Sequence, residues 1–285
     1  MSTLRIALPN KGRLEDPAAA LLLHSGMRFE KTVRSLSVPV ANVDVELLFV
    51  RTEDIAELVA DGVAGIGITG LDLLEEAGLP IEVVAELGFG GCRLAAAVPV
   101  SSPVTDLAGF AGLRIATSHP RTTERFFADK GIAVTTVPLR GSVEVAPRLD
   151  VADAIVDLVS SGSTLRVNGL RPVVTVLESQ AVLVRRIGLT GDEADLATQV
   201  ATMMRSVLVA RRKRYVLMNA PRRSVDAIAA IIPGLEAPTV VPLAEPDMVA
   251  VHSVVEADEV WSVLPRLRAA GASAILVLPI EQVIP

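Results

Sequence analysis

Residues 144 to 164 hold the densest chemistry in the chain: Glu144, Asp153 and Asp157 precede a hydroxyl cluster of Ser160, Ser161, Gly162, Ser163 and Thr164. Ile155, Val156, Leu158 and Val159 form an apolar run of strand type, which places the hydroxyls on the following turn and at the start of a helix. At such a junction the first backbone N–H groups have no intrahelical partner, and the helix dipole favours an anion. The hydroxyls add donors without bulk, and Gly162 permits a close backbone approach. A phosphate monoester fits that cradle. The carboxylates cannot bind it directly, since like charges repel, but they can accept from sugar hydroxyls or hold Mg²⁺. Sugar hydroxyls beside a terminal phosphate describe a phosphoribosyl group. An N-capped turn with no ligand reads the same way, and Asp153 and Asp157 would serve equally as solvated carboxylates.

The elements that must position this segment follow from hydrophobic patterning. LRIALP (4–9) and GRLEDPAAALLLHSG (12–26) read as a strand, a turn and a helix, and GLRIATSHPRTTERFFADKG (112–131) repeats the pattern, with LRIA of 4–7 recurring at 113–116. ELVADGVAGIGITGLDLLEEAGL (57–79) and the segment 143–170 both read as helix, buried strand, glycine-containing loop and helix. The expected architecture is α/β: two similar lobes, like those of periplasmic binding proteins, with an inter-lobe cleft. Their sheets are expected to be mainly parallel, with ligands at the carboxyl ends of the strands. The first lobe spans 1–91 and 181–209, and the second 92–180. GFGG (88–91) lacks the frame of a nucleotide-binding loop and reads as a turn or hinge between the lobes.

Residues 210–285 differ in order. Strand, helix, two strands, helix and strand give βαββαβ, a ferredoxin-like or ACT-like module with helices on one face of a small antiparallel sheet. ARRKR (210–214) marks a hinge before it. The module shows no chemistry of its own, so regulation or assembly is its expected role.

Composition limits the remaining choices. The 285 residues are 51% apolar but only 3% aromatic, so Val, Ile, Leu and Ala must fill the core. The net charge of -6 comes from interspersed residues, which argues against an electrostatic footprint for nucleic acid or an anionic membrane. A polyanionic ligand therefore needs local basic groups or a metal. Cys92 is the single cysteine, which excludes an intrachain disulfide, and Lys11, Glu15, Asp16 and Arg28 stand where a signal peptide would be apolar. A soluble, cytoplasmic protein is expected. His24, His119 and His252 have no metal-ligand spacing and are assigned no catalytic role, His119 being the strongest of the three. Trp261 and the pair Met203 and Met204 read as core or interface residues.

From Glu144 onward the chain resembles the signature of ATP phosphoribosyltransferases: a Glu, a spacer, Ala-Asp-x-Ile-x-Asp, then Ser/Thr-Gly-x-Thr-Leu. LRIALPNKGRL, FVRTEDIAELVADGVAGIGITGLDLL and PGLEAPTVVPLA also look like that family, and the tail is similar to its long form. The resemblance implies transfer of the phosphoribosyl group of phosphoribosyl pyrophosphate to N1 of ATP, with Mg²⁺, as the first step of histidine biosynthesis. It implies that Ser160 to Thr164 cradle the 5′-phosphate and that Asp153, Asp157 or Glu144 address the ribose or the metal. Lys11, Arg13 and Arg51 would meet phosphates of ATP or pyrophosphate, and Gly70 with Asp72 would flank the nucleotide. It further implies a homo-oligomer, dimer and hexamer, inhibited by histidine at the carboxyl-terminal module, with Asn219, Thr239 and Ala274 as contacts. The rival reading is a cytoplasmic two-lobed solute-binding or amino-acid-sensing protein.

Overall fold

The computed structural model describes residues 3–31, 35–160 and 162–284. In chain order the elements begin with β1 (Leu4–Pro9), α1 (Glu15–His24), β2 (Ser37–Pro39), β3 (Val45–Val50), α2 (Ile55–Ala60), β4 (Ile66–Gly70), α3 (Leu71–Ala77) and β5 (Ile81–Glu86). They continue with β6 (Cys92–Pro99), β7 (Arg114–Thr117), α4 (Pro120–Asp129), β8 (Thr135–Pro138), β9 (Ala154–Val159), α5 (Ser163–Val167), β10 (Leu170–Ser179), β11 (Ala181–Arg186) and α6 (Gly191–Arg211). Last come β12 (Lys213–Pro221), α7 (Val225–Ile231), β13 (Thr239–Pro242), β14 (Met248–Glu256), α8 (Val260–Ala269) and β15 (Ser273–Pro279). The chain divides into two compact units, Met1–Ala20 with Met27–Thr198, and Leu21–Gly26 with Gln199–Pro285.

The first unit contains two sheets of the same design. One has the order β2-β3-β1-β4-β11-β5 and the other β10-β6-β9-β7-β8. In each, the repeated LRIA strand is central to a parallel trio, β3-β1-β4 in one and β8-β7-β9 in the other. The sheets are mixed, however, where mainly parallel ones were expected. β11 runs antiparallel to β4 and β5, and β6 antiparallel to β9 and β10. The reason is the path of the chain. After β5 it enters the second sheet as β6, and after β10 it returns as β11, whose Ala181, Val182, Leu183 and Val184 are fully buried. The connection at 87–91 contains GFGG, where Gly88 and Gly90 adopt φ of 69° and 67°. A β-carbon on Gly90 would meet Leu14 Cδ2 at 2.2 Å, so this turn requires glycine on both conformational and steric grounds.

With few aromatics, the packing is aliphatic. Ala95, Ala97, Ile155, Val159 and Leu165 fill one face of the second sheet, while Leu94, Ala96, Val98, Phe110 and Phe127 fill the other. The alternation along β6 and β9 assigns odd residues to one face and even residues to the other, as strand geometry demands. The segment before β9 reads from sequence as a helix, but it forms 3₁₀ turns at Val143–Val145 and Pro147–Leu149. Pro147 removes the backbone donor that a continuous α-helix needs there.

In the second unit the sheet order is β13-β14-β12-β15, all antiparallel, which is the ferredoxin-like arrangement. Val216, Met218, Ala220, Val249 and Val251 pack under Ile228 of α7 and Val263 and Leu267 of α8, so both helices cover one face. ARRKR spans the junction of helix and strand: α6 ends at Arg211 and β12 starts at Lys213. Met204 is fully buried, as a core residue is, whereas Trp261 is 90% exposed, which excludes the core and leaves the interface of its two expected roles.

Candidate functional site

The carboxyl ends of the parallel strands open onto two neighbouring cavities. The larger, a cleft of about 860 Å³, is walled on one side by Lys11, Arg13, Arg51, Gly70 and Asp72, and on the other by His119, Arg140 and Leu158. The smaller, of about 660 Å³, is bounded by Cys92, Arg93, Val159, Ser160, Glu178 and Ser179. They share walls: Leu158 faces one and Val159 the other, and Arg13 Nη2 donates to Cys92 Sγ at 2.9 Å. The strands deliver these groups because each loop starts where its strand stops, at Pro9, Val50, Gly70, Thr117, Pro138 and Val159.

Lys11, Arg13 and Arg51 are solvent-exposed and line the large cleft with Arg140; Glu53, Asp54 and Asp72 line it too, so these four cations are the groups there that suit a polyphosphate. Arg140 carried no motif signal. It follows the four-residue strand β8, and only the sheet order sets it beside residues more than 80 positions earlier.

Asp72 differs from the surface ligand that its motif suggests. It is 1% exposed, accepts a hydrogen bond from Ser179 Oγ at 2.5 Å, and lies 3.5 Å from His119 Nε2. Burial alone would raise its pKa, but His119, Ser179 and the charge of Arg13 outweigh it and hold the carboxyl below the ordinary range. Its oxygens are thus committed to protein partners. His119, set aside on sequence spacing, is 3% exposed in the wall of the cleft, with Nδ1 3.0 Å from Ser118 Oγ and Nε2 lacking a hydrogen-bond partner among the described residues.

The hydroxyl turn sits where β9 ends. Ser160, Ser163 and Thr164 are exposed, and Gly162 adopts φ 72°, a left-handed conformation that favours glycine. Ser161 lies outside the described residues. The helix that follows, α5, is only five residues long. Its dipole is correspondingly small, so any anion held here depends on hydroxyls and first-turn amides more than on the helix as a whole.

The three carboxylates separate into two groups. Asp157 is half-buried on β9, and burial raises its pKa, with the nearby charge of Glu144 adding to the effect; the N–H of Leu158, 2.8 Å away, and His119 oppose it. Asp153 is not brought to this place. It precedes β9, roughly 20 Å from Ser160 at ~3.3 Å per strand residue, and there it pairs with Arg114 at 2.8 Å. That partner holds its carboxyl below the usual range. Asp153 therefore ties β9 to β7 and lies at the wrong end of the strand to touch a ligand.

Among the described residues no three His, Cys, Asp or Glu side chains are gathered as a metal site. Glu144 and Asp157 nevertheless suit a hard cation. Glu144 lies near enough to Asp157 for its charge to be felt there, and Mg²⁺ keeps several waters and uses substrate phosphates as ligands, so it needs only one or two protein carboxylates.

In the second unit Asn219 of β12 pairs with Ser273 of β15, the residue before Ala274, where the register shifts and Ala274 adopts φ 48°. Thr239 lies on β13, at the opposite edge. Two strands intervene between it and β15, about 14 Å at the usual strand spacing, so one sheet does not present all three residues to a single small ligand.

The fold and the paired cavities define a two-lobed α/β protein with basic walls around a polyphosphate-sized cleft, followed by a ferredoxin-like module. The profile of HisG, ATP phosphoribosyltransferase, matches residues 51–206, and that of the HisG C-terminal domain matches 210–282. An ATP phosphoribosyltransferase of Natronomonas pharaonis is 44% identical over 283 residues, covering 99% of this chain and 100% of that protein. One from Gemmatimonas aurantiaca is 43% identical over 295 residues, with 99% and 100% covered. Among solved structures, the ATP phosphoribosyl transferase (HisG:HisZ) complex from Thermotoga maritima superimposes with a TM-score of 0.63 at 28% identity, over 72% of this chain and 98% of that one. The chain belongs to the ATP phosphoribosyltransferase family, a family of transferases acting at the first step of histidine biosynthesis. The solute-binding alternative is not favoured.

Proposed function

We propose that this chain transfers the phosphoribosyl group of phosphoribosyl pyrophosphate to N1 of ATP, yielding phosphoribosyl-ATP and pyrophosphate. One observation carries the reading: the end of β9 turns Leu158 towards the basic cleft and Val159 and Ser160 towards the adjoining cavity. One strand end thus serves both substrates.

Adenine N1 is unprotonated at neutral pH and is already a nucleophile, so no Ser-His-Asp or Cys-His machinery is required. Rate then comes from placement and from charge stabilisation. The turn at Ser160 to Thr164 holds the 5′-phosphate, and Asp157 and Glu144 accept from the ribose hydroxyls and position the anomeric carbon. Lys11, Arg13, Arg51 and Arg140 hold the triphosphate and the negative charge that grows on the departing pyrophosphate. Asp72 acts through His119 and Ser179 by fixing the shape of the cleft. A divalent metal belongs to this activity, and Mg²⁺ is the ion proposed; Glu144 and Asp157 would hold it, and it would supply Lewis-acid neutralisation of the leaving group's charge.

No helix among the described residues is long and apolar enough to cross a membrane, and the proposed location is cytoplasmic. Assembly into dimers and hexamers, and inhibition by histidine at the ferredoxin-like module, complete the proposal. Mixing the protein with ATP, phosphoribosyl pyrophosphate and Mg²⁺ tests the activity through the ultraviolet absorbance change of N1-substituted adenine. A flat trace with all three present would overturn it.

A further inference from the structure

Arg93 is the second residue of β6, an interior strand of the second sheet. Its strand, β6, pairs it with Val159 of β9 on one side and with Glu178 of β10 on the other. The side chain is half-buried, its Nε is buried with no hydrogen-bond partner among the described residues, and it enters none of the ion pairs formed there. Other half-buried arginines are satisfied: Arg171 donates to Ser102 O at 3.0 Å, and Arg186 to Glu193 at 3.3 Å. A guanidinium taken partly out of water without a partner is costly, and a fold retains it where a ligand completes it.

The surroundings specify that ligand. Arg93 and Ser160 line the same cavity of about 660 Å³, and the register partner of Arg93, Val159, immediately precedes the hydroxyl turn. A planar fork of donors matches the oxygens of a phosphate group. Glu178 and Glu86 line the same cavity, and Glu86 accepts a hydrogen bond from Gln180 Nε2 at 2.7 Å. The fork of Arg93 beside the hydroxyl of Ser160 makes a phosphate monoester the fitting occupant.

We propose that Arg93 completes a phosphate cradle with Ser160, Gly162, Ser163 and Thr164 and binds the 5′-phosphate of the phosphoribosyl substrate, an inference that rests on the transferase reading and extends it to a residue outside the signature. It predicts a separation between the two substrates: Arg93 serves the sugar phosphate and leaves ATP untouched.

The test is calorimetric titration of ribose 5-phosphate and, separately, ATP into the wild-type chain and the Arg93→Met and Arg93→Lys variants, with melting temperatures and Michaelis constants measured alongside. Arg93→Met should weaken ribose 5-phosphate and raise the KM for phosphoribosyl pyrophosphate about tenfold to a hundredfold, as loss of a charge-assisted hydrogen-bond pair does. ATP affinity should stay unchanged, and the melting temperature should hold or rise, because an unpaired half-buried charge has gone. Arg93→Lys keeps the charge without the fork and should lose several-fold; it decides the matter should the Met variant misfold. Unchanged ribose 5-phosphate affinity in the folded variants overturns the proposal, as does an equal loss for both ligands with a falling melting temperature. If wild type turns over ATP and phosphoribosyl pyrophosphate while Arg93→Met binds ribose 5-phosphate normally, only the role of Arg93 fails. If wild type neither binds the probe nor turns over, the transferase reading fails with it.

Discussion

Ser179 Oγ donates a 2.5 Å hydrogen bond to Asp72 Oδ1, joining the last residue of β10 to the first turn of α3 across 107 positions of sequence. The backbone N–H of Asp72 returns to the same hydroxyl at 3.0 Å. One turn further on, Glu76 accepts from the N–H groups of Arg121 and Thr122 at the start of α4, at 2.9 and 2.8 Å. Helix α3 flanks the first sheet, and β10 and α4 belong to the second. These contacts between the two halves are buried or charge-assisted polar bonds, and through Asp72 they reach the wall of the larger cleft.

Removing the charge at this seam should be felt in stability before chemistry. Asp72→Asn is expected to cost about 1–3 kcal/mol at neutral pH, the range for disturbing a buried hydrogen-bonded charged group. Because the folded carboxyl titrates below its ordinary range, its stabilising contribution is present above the unfolded pKa and disappears as pH falls through the lower folded value. Thermal melts from neutral pH to below pH 4 should show the wild-type advantage vanishing at the acid end. An equal advantage at both ends would refute the assignment.

Asp157 carries the opposite sign. Its pKa is raised in the folded chain, so the charged form works against folding once pH rises through that value. Asp157→Asn should melt at a higher temperature than wild type at pH 7 and yet lose about tenfold to a hundredfold in kcat/KM for phosphoribosyl pyrophosphate, the scale of a lost charge-assisted contact. Stability and rate moving down together would instead mark Asp157 as a structural residue.

Asp153 supplies the contrast within the same signature. Its pair with Arg114 is exposed. Asp153→Asn should change stability by under about 1 kcal/mol and leave steady-state kinetics as they were. A large kinetic loss from this substitution would show that the far end of β9 reaches substrate after all.

Gly162→Ala tests the turn. The nearest atom to an added β-carbon is Arg166 Nη1 at 3.6 Å, so space is not the obstacle; φ of 72° is. The left-handed conformation costs a residue with a β-carbon about 1–2 kcal/mol, and the turn should relax away from its cradle shape. The expected signature is a raised KM for phosphoribosyl pyrophosphate with the KM for ATP unmoved. Steady-state kinetics with each substrate varied in turn would expose a uniform effect on both, which contradicts a local role.

Much of this was legible before any coordinates. The repeat of LRIA at 4–7 and 113–116 foretold two sheets of one design, because the same apolar run before a polar loop solves the same packing problem twice. The turn at Gly162 was legible because left-handed backbone and hydroxyl donors leave a compositional mark. What escaped the sequence was mostly non-local. The antiparallel course of β6 and β11 depends on which sheet each strand joins, and no local pattern encodes that. Asp153 and Asp157 look alike in sequence, and only the strand direction separates an exposed ion pair from a half-buried carboxyl. Arg93 matters through the partner its Nε lacks and His119 through Asp72, 47 positions earlier, and a sequence displays neither.

The sharpest single measurement is a structure of the protein with phosphoribosyl pyrophosphate and Mg²⁺ bound. The expected density places the 5′-phosphate against Ser160, Gly162, Ser163 and Thr164, the ribose hydroxyls towards Asp157 and Glu144, and the anomeric carbon facing the cleft lined by Lys11, Arg13 and Arg140. Phosphoribosyl pyrophosphate bound away from the Gly162 turn, or with its anomeric carbon turned from that cleft, would contradict the account.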